Sequence, residues 1–451
     1  MSGAGRPKIV ILGAGFAGMY AAQALAKLLP HAVDGEITLI DVNNFFVFTP
    51  MLTEVAGGEL DPRHIVSAIR RFSPRINFMQ GCVDTIDLKK KRVIVSLGRP
   101  EDALPNGQKT LEADHLVIAL GSATNYYGIT GLKENSLNIK NLGDAALIHN
   151  RALALLERAD EEPDPDTRRE LLTFVVGGGG FSGVETMAAL NDLVRENCKN
   201  YPRILPGDIR TIIIQGEGRL LPELDEKLAA YTQQKMEKRG VEVRLSAFIS
   251  GVGPDYVELK GGERIKTYLL IWTGGVAPTP AVKHLDCEHS HRGGITTDEH
   301  FRIPGYANTW AIGDCADVPQ PGKQKPYTPT AQNATREGQA LAHNIVATLR
   351  GEELQPFVYR PIGELAMIGK RTGVASVYGL RFSGRLAWAM WRAIYLFKMP
   401  HMSMRLRVGI DWIGDFLFGR ESAELPAMRS SIPAPQAPEQ SEQQKREEVV
   451  A

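Results

Sequence analysis

Cysteine is scarce in this chain: four occur in 451 residues, and none of Cys82, Cys198, Cys287 and Cys315 has a Cys-x-x-Cys partner. That scatter excludes a disulfide framework, a zinc ribbon and a local redox dithiol, and fits reduced, mostly buried thiols in a cytosolic setting. Net charge is missing too. The 52 basic and 52 acidic residues cancel, so no global field draws in nucleic acid. No run of about 18 apolar residues exists, which argues against a spanning helix. The N-terminus lacks a signal-peptide layout, because Lys8 opens an apolar stretch that glycines soon interrupt. His289-x-His291 is the one close histidine pair and reads as a solvated loop, so no metal site is expected.

Glycine is plentiful, at 45 residues, and it carries the information. Gly13-Ala-Gly15-Phe-Ala-Gly18 follows the apolar run Ile9–Leu12, and Gly178-Gly-Gly180-Phe-Ser-Gly183 follows Phe174-Val175-Val176. Each reads as strand, tight turn and helix start, the geometry that brings a backbone close to a pyrophosphate. Two such motifs predict two bound dinucleotides with two-electron transfer between them.

The spacing predicts a first unit with a strand at 8–12, a helix at 16–29 and a strand Ile37–Ile40 ending at Asp41. A polar hairpin region over 82–112 follows, with Asn106-Gly107 as its turn, then the strand His115–Leu120 closing at Gly121. The charged, Pro-containing stretch Asp160–Arg169 reads as a linker. A second unit repeats the plan from Leu171: strand, glycine turn, helix 183–196, strand Thr211–Gln215, then Glu217, closing at Trp272-Thr-Gly274-Gly275. Thr309–Asp314 has no counterpart in that unit and is assigned back to the first, followed by a helix at 330–348. The tail 424–451 is expected to be disordered, since Pro433–Glu448 has no large apolar residue.

In the first unit, Gly13 permits the turn, Gly15 clears space for a pyrophosphate and Gly18 allows close helix–strand packing. Asp41 is placed to accept hydrogen bonds from a ribose diol. Glu217 is read as the matching acid of the second unit, favouring NADH over NADPH, with Arg219 two residues on to soften that preference. Asp314 sits at a strand end and is similar to the flavoprotein acid that bonds a ribityl hydroxyl; an N-cap is the plainer reading.

These segments resemble the flavoprotein superfamily with two dinucleotide-binding domains, and more narrowly the type II NADH:quinone oxidoreductases. The narrower likeness rests on Phe48-Thr49-Pro50-Met-Leu52, Ala331-Gln-Asn-Ala-Thr-Arg-Glu-Gly338 and Ile368-Gly-Lys-Arg-Thr-Gly-Val-Ala375 leading into Leu380–Trp388. The resemblance implies an α/β fold with two Rossmann-like domains, the second (166–294) inserted in an FAD domain (1–165 and 295–355), and a C-terminal anchoring or dimerisation region (356–423). It implies FAD held by Gly13, Gly15, Gly18, Asp41, Thr49, Pro50, Gly121, Gly313, Asp314, Ala331 and Gln332. NADH would lie against Gly178, Gly180, Gly183, Glu185, Glu217, Gly274 and Gly275. Ubiquinone or menaquinone would meet Gln332, Arg336 and Lys370. Many members carry glutamine where this chain has Arg336. Glu185 would sit near the nicotinamide, orienting the carboxamide or handling protons; as an acid early in a helix it also suits the macrodipole alone. Glu185, Gln332 and Arg336 form the expected catalytic set.

The third region bears on the acceptor. Arg381–Lys398 is expected to be a helix with Arg381, Arg385 and Arg392 on one stripe and Trp388 and Trp391 among its apolar positions. A second helix after Pro400 aligns Met402, Leu406, Ile410, Ile413 and Leu417, with Trp412 beside them and Arg407, Asp411 and Asp415 on a neighbouring face. The pattern suits an interfacial anchor lying in the headgroup plane, and a core or dimer interface would use the same pattern. With the resemblance, the expectation is a peripheral homodimer on the cytoplasmic face of the cell membrane. The rivals are a ferredoxin- or rubredoxin-type reductase, a sulfide:quinone oxidoreductase, and a flavoprotein acting as an NADH-responsive binding partner.

Overall fold

A computed structural model describes residues 6–31, 34–99, 107–323, 325–420 and 422–424. Asn106 of the expected hairpin turn, and all of the expected tail except Glu424, lie outside these residues.

The chain opens with β1 (Lys8–Leu12), α1 (Phe16–Leu28), β2 (Glu36–Asp41) and a short α2 (Leu52–Ala56). Three strands, β3 (Ile76–Asp87), β4 (Arg92–Leu97) and β5 (Gln108–Glu112), precede β6 (His115–Ile118) and α3 (Leu142–Glu161). Next come β7 (Thr173–Gly177), α4 (Phe181–Asn197), β8 (Arg210–Ile214), β9 (Val241–Arg244) and β10 (Leu269–Trp272). The remainder holds β11 (Thr309–Ala311), α5 (Ala331–Arg350), β12 (Gly363–Met367), β13 (Gly373–Val377), β14 (Leu380–Ser383), α6 (Gly384–Lys398) and α7 (Met402–Phe418).

Two sheets dominate. The first runs β11-β6-β1-β2-β3-β4-β5 and the second β10-β7-β8-β9. Within the first, β11, β6, β1, β2 and β3 pair in parallel, while β4 and β5 add an antiparallel hairpin. All pairings of the second sheet are parallel. The apolar runs of β1, β6 and β7 are buried end to end, as strands covered on both faces require. The order β6-β1-β2-β3 is repeated by β10-β7-β8-β9, so the glycine turns after β1 and β7 occupy corresponding places.

Both turn-bearing helices pack tightly. On the far side of α1, Gly338 of α5 lies so close that an added Cβ would overlap the carbonyl of Ala17. A third sheet, β12-β13-β14, is antiparallel. Against it lies α6, close enough that a Cβ on Gly373 would stand 2.9 Å from the Trp388 nitrogen.

Two expectations about local structure change. Asp160–Arg169 is no linker: α3 continues to Glu161, and Pro165–Leu171 is helical. Asp164 caps that helix by accepting from Thr167 N at 2.8 Å, and Pro165 fills its first position. The helix expected from Arg381 starts at Gly384, because Leu380–Ser383 pairs with Val374–Val377. Arg381 therefore leaves the helical stripe and meets Asp225 at 2.7 Å.

Candidate active site

The two turns share one construction. Gly13 and Gly178 hold φ of 98° and 110°, left-handed conformations that favour glycine. At Gly18 and Gly183 a Cβ would overlap the carbonyls of Gly13 and Gly178, so those glycines seat the helices on the turns. Gly15 has nothing within 4 Å of where its Cβ would be, and Gly180 has only Glu223 Oε1, at 3.9 Å. Each helix start thus faces open space with free backbone donors, a fit for the pyrophosphates of FAD and of a nicotinamide dinucleotide.

Around the first turn, Asp41 Oδ2 accepts from Ala14 N at 2.7 Å and Oδ1 from Asn43 N at 2.8 Å. Burial raises the pKa of its carboxyl, opposed by those amides and by Arg99. Thr49 and Pro50 form a 3-10 turn that leads into α2. Asp314 stands just after β11 and accepts from Ser122 Oγ at 2.7 Å, and Ser122 in turn accepts from Lys140 Nζ at 2.7 Å. Gly313 N donates to Glu337 at 2.6 Å. Glu337 is buried, and desolvation, helped by the nearby Asp314 charge, pushes its pKa up to about 7.

The closing segments of the two units meet. Ser122–Thr124 pairs antiparallel with Val276–Pro278. Asn125 N donates to Gly275 O at 3.1 Å, and the Trp272 indole donates to Asn125 O at 2.8 Å. Gly121, Gly274 and Gly275 therefore lie along one ribbon joining both units.

Glu185, one turn into α4, is tied to the third region. Its Oε1 accepts from Met367 N at 2.9 Å and from Trp391 Nε1 at 3.1 Å. Desolvation pushes its pKa up to about 8, against the pull of those two donors. Tyr395, one turn beyond Trp391, packs on it with the rings tilted and centroids 4.5 Å apart, and approaches Phe48 at 6.3 Å. Helix α6 thus bridges Glu185 of the second unit and the aromatic edge of the first, beside Thr49 and Pro50. At the start of α5, Gln332 Nε2 donates to the Tyr359 hydroxyl, and Arg336 lies 5.8 Å from the centre of that ring.

Residues 7–338 match the model of the pyridine nucleotide-disulphide oxidoreductases, and residues 362–421 match the NDH2 C-terminal domain. A probable NADH dehydrogenase of Dictyostelium discoideum is 32% identical over 92% of this chain and 90% of its own length. A type II NADH:quinone oxidoreductase of Mycobacterium tuberculosis is 29% identical over 93% of this chain and 89% of its own. The chain belongs to the type II NADH:quinone oxidoreductases. The fold agrees: the structure of NDH2 from Plasmodium falciparum in complex with NADH matches with a TM-score of 0.84 over 93% of this chain and 100% of that one, at 23% identity.

For this NADH:quinone oxidoreductase, three sets of expected site residues need correction. Glu217 does not occupy the strand-end position of the second unit. Ile40 pairs with Leu12 and Ile214 with Gly177, so the counterpart of Asp41 is Gln215. Gln215 repeats the contact of Asp41, accepting from Gly179 N at 2.9 Å where Asp41 accepts from Ala14 N, whereas Glu217 is exposed two residues further on. The signal was available, since Gln215 is the first polar residue after the Ile212–Ile214 run as Asp41 is after Ile40.

Lys370 belongs to another group than Gln332 and Arg336. Its backbone N–H donates to Asp192 at 2.8 Å and its ammonium meets Glu196 of α4 at 2.7 Å. Among the expected membrane residues, Trp391 and Trp412 are interior, at 1% and 8% exposure, and Arg392 and Trp388 are turned inward. Arg392 is held between the rings of Trp388 and Trp412, 4.7 and 4.6 Å from their centres, and reaches Glu59 at 3.3 Å. Trp412 Nε1 donates to Glu54 at 3.3 Å. The physical reason is that α6 and α7 are apolar on more than one face, and the tryptophan faces close the protein core.

Sequence reasoning also missed a buried charge cluster under these helices. Arg420 pairs with Glu59, with Asp192 at 3.3 Å and with Glu196 at 3.5 Å, and caps the carbonyls of Gly57 and Ala189. No periodic pattern marks such a cluster, whose members come from three separate segments. The four cysteines are free, and burial raises the thiols, Cys287 to about 11 and Cys315 to about 12. Protonated, separated thiols do not suit sulfide or disulfide chemistry.

Proposed function

We propose that this FAD-dependent NADH:quinone oxidoreductase works as a peripheral enzyme on a membrane surface, with the quinone arriving along α6 and α7. The supporting observation is the outer face of α7: Leu406, Ile410, Ile413 and Leu417 are each 60–66% exposed, with Met402 and Phe418 beside them. Such a stripe, on a helix whose other face is fixed in the core, suits burial in the headgroup–acyl boundary. No described helix is long and apolar enough to cross a membrane.

When bound, FAD accepts a hydride equivalent from NADH and delivers two electrons to quinone. The chain's own residues seat and orient the partners. The start of α1 with Asp41, Ser122 and Asp314 holds FAD, and the start of α4 with Gln215 and the 272–278 ribbon holds NADH. Glu185, kept protonated near neutral pH and pinned by Trp391, would hold a proton beside the nicotinamide. Gln332, Tyr359 and Arg336 would offer polar contacts to a quinone headgroup. We place the second unit, 166–294, as an insertion in the first, on the strength of β11 returning to the first sheet. Assembly as a homodimer, and residence on the cytoplasmic face, are part of the same proposal.

Steady-state NADH oxidation tests the acceptor. Rates should rise and saturate with a soluble quinone, and sedimentation with anionic liposomes should follow the α7 stripe. Rapid ferredoxin reduction with no quinone dependence would sink the proposal; slow turnover with every acceptor would favour an NADH-responsive binding role. Analytical ultracentrifugation in mild detergent decides between monomer and homodimer.

A further inference from the structure

The two nucleotide units are alike in backbone and unlike in one charge. Gly13 N donates to Ile40 O at 2.8 Å, and Gly178 N donates to Ile214 O at 2.8 Å. The next donor of each turn closes on the side chain that follows that isoleucine: Ala14 N on Asp41 and Gly179 N on Gln215. Where the first unit has a carboxylate at this position, the second has a neutral amide, 8% exposed and fixed at both ends, since Gln215 Nε2 also donates to Arg219 O at 3.4 Å.

This position faces the adenosine ribose of a nucleotide lying over the turn. A carboxylate there accepts from a free 2′-hydroxyl and repels a 2′-phosphate, whereas an amide lacks the repelling charge. Glu217 does not restore it: counting from the strand end, it takes the place of Asn43. A cation is also at hand. Arg219 is half-exposed, donates to Pro222 O at 2.7 Å, and has only a 3.5 Å contact to the exposed Glu226, a pair worth little in water.

We infer that this enzyme accepts NADPH as well as NADH, that Gln215 is the residue permitting it, and that Arg219 receives the 2′-phosphate. The inference rests on the reading of the second unit as the nicotinamide-dinucleotide seat, and concerns which nucleotide that seat admits.

The test is reduction of the FAD-loaded full chain by NADH and by NADPH, followed by flavin absorbance without quinone, and then kcat/KM for both with a soluble quinone. The NADPH value should lie within about tenfold of the NADH value. Gln215→Glu should lower the NADPH:NADH ratio at least about tenfold, and Arg219→Ala should lower it in the same direction. An NADPH value below about one-hundredth of the NADH value in the unaltered chain overturns the inference. So does a Gln215→Glu variant that retains its flavin and leaves the ratio unchanged. Glu217→Gln is the second variant: if it raises the ratio while Gln215→Glu does nothing, Glu217 is the discriminating acid. Failure of both nucleotides to reduce the flavin would instead refute the seat itself.

Discussion

The indole N–H of Trp391 donates to the carboxyl of Glu185 at 3.1 Å, across 206 positions of sequence. One contact therefore links the nucleotide helix α4 to the helix pair that carries the apolar outer face. It also alters how the anchor should be tested. Removing everything after about residue 378 would take Trp391 away from Glu185, so loss of activity and loss of membrane binding would come together.

Substitutions on the outer face of α7 separate them. Leu406→Asp with Ile410→Asp should abolish sedimentation with liposomes while NADH oxidation with a soluble quinone stays within about twofold. Unchanged sedimentation would show that the stripe is not the membrane contact.

Glu185 has a pKa of about 8 in the folded chain against an ordinary 4.5. Between those values the folded state keeps a proton that the unfolded state has released. Stability from this group is thus fully present below pH 4.5 and falls as pH rises through about 8. Glu185→Gln should remove that slope, so denaturant midpoints of variant and parent diverge as pH is raised across the window. Turnover should lose its dependence on a group titrating near 8. Parallel pH profiles would contradict the role.

Beneath α6 and α7, Glu54 is fully enclosed, and desolvation and the charge of Glu59 raise its pKa well above the usual range. Burial thus disfavours the charged form of this carboxyl, and Glu54→Gln should cost about 1 kcal/mol or less. Arg392→Leu leaves Glu59 short of a partner and empties the space between Trp388 and Trp412. That change should cost about 3–5 kcal/mol by chemical denaturation. Equal costs for the two variants would show that Glu54 depends on its negative charge as much as Glu59 depends on Arg392.

The open glycines distinguish the two seats. Gly15→Ala meets no protein atom within 4 Å, so the chain should fold but purify with little flavin. Gly180→Ala should keep its flavin and raise the KM for NADH about tenfold or more. Flavin absorbance per protein and the NADH titration check both, and loss of flavin in Gly180→Ala would reverse the assignment.

Much of this was legible from local pattern. The strand–glycine–helix units were readable because each rests on neighbours in sequence: an apolar run, a left-handed glycine and a helix start. Asp314, Gln332 and Arg336 were readable only through family likeness. The places where reading failed share a cause. Periodicity marks α6 and α7 as amphipathic helices but does not choose which apolar face looks inward, and Trp391, Arg392 and Trp412 lie on the inward side. The start of α6 at Gly384 depended on β14 pairing with β13, a contact outside the helix. Glu217 carries the expected acid, but the strand register makes Gln215 the counterpart of Asp41.

Residue type and short-range geometry suffice for the two dinucleotide turns, their helices and the scarcity of reactive thiols. Long-range packing alone brings Ser122–Thr124 to Val276–Pro278, Trp391 to Glu185, and Arg420 to Glu59, Asp192 and Glu196. Those contacts join segments far apart in the chain, and their partners are selected by burial and by the need to pair every charge that burial removes from water.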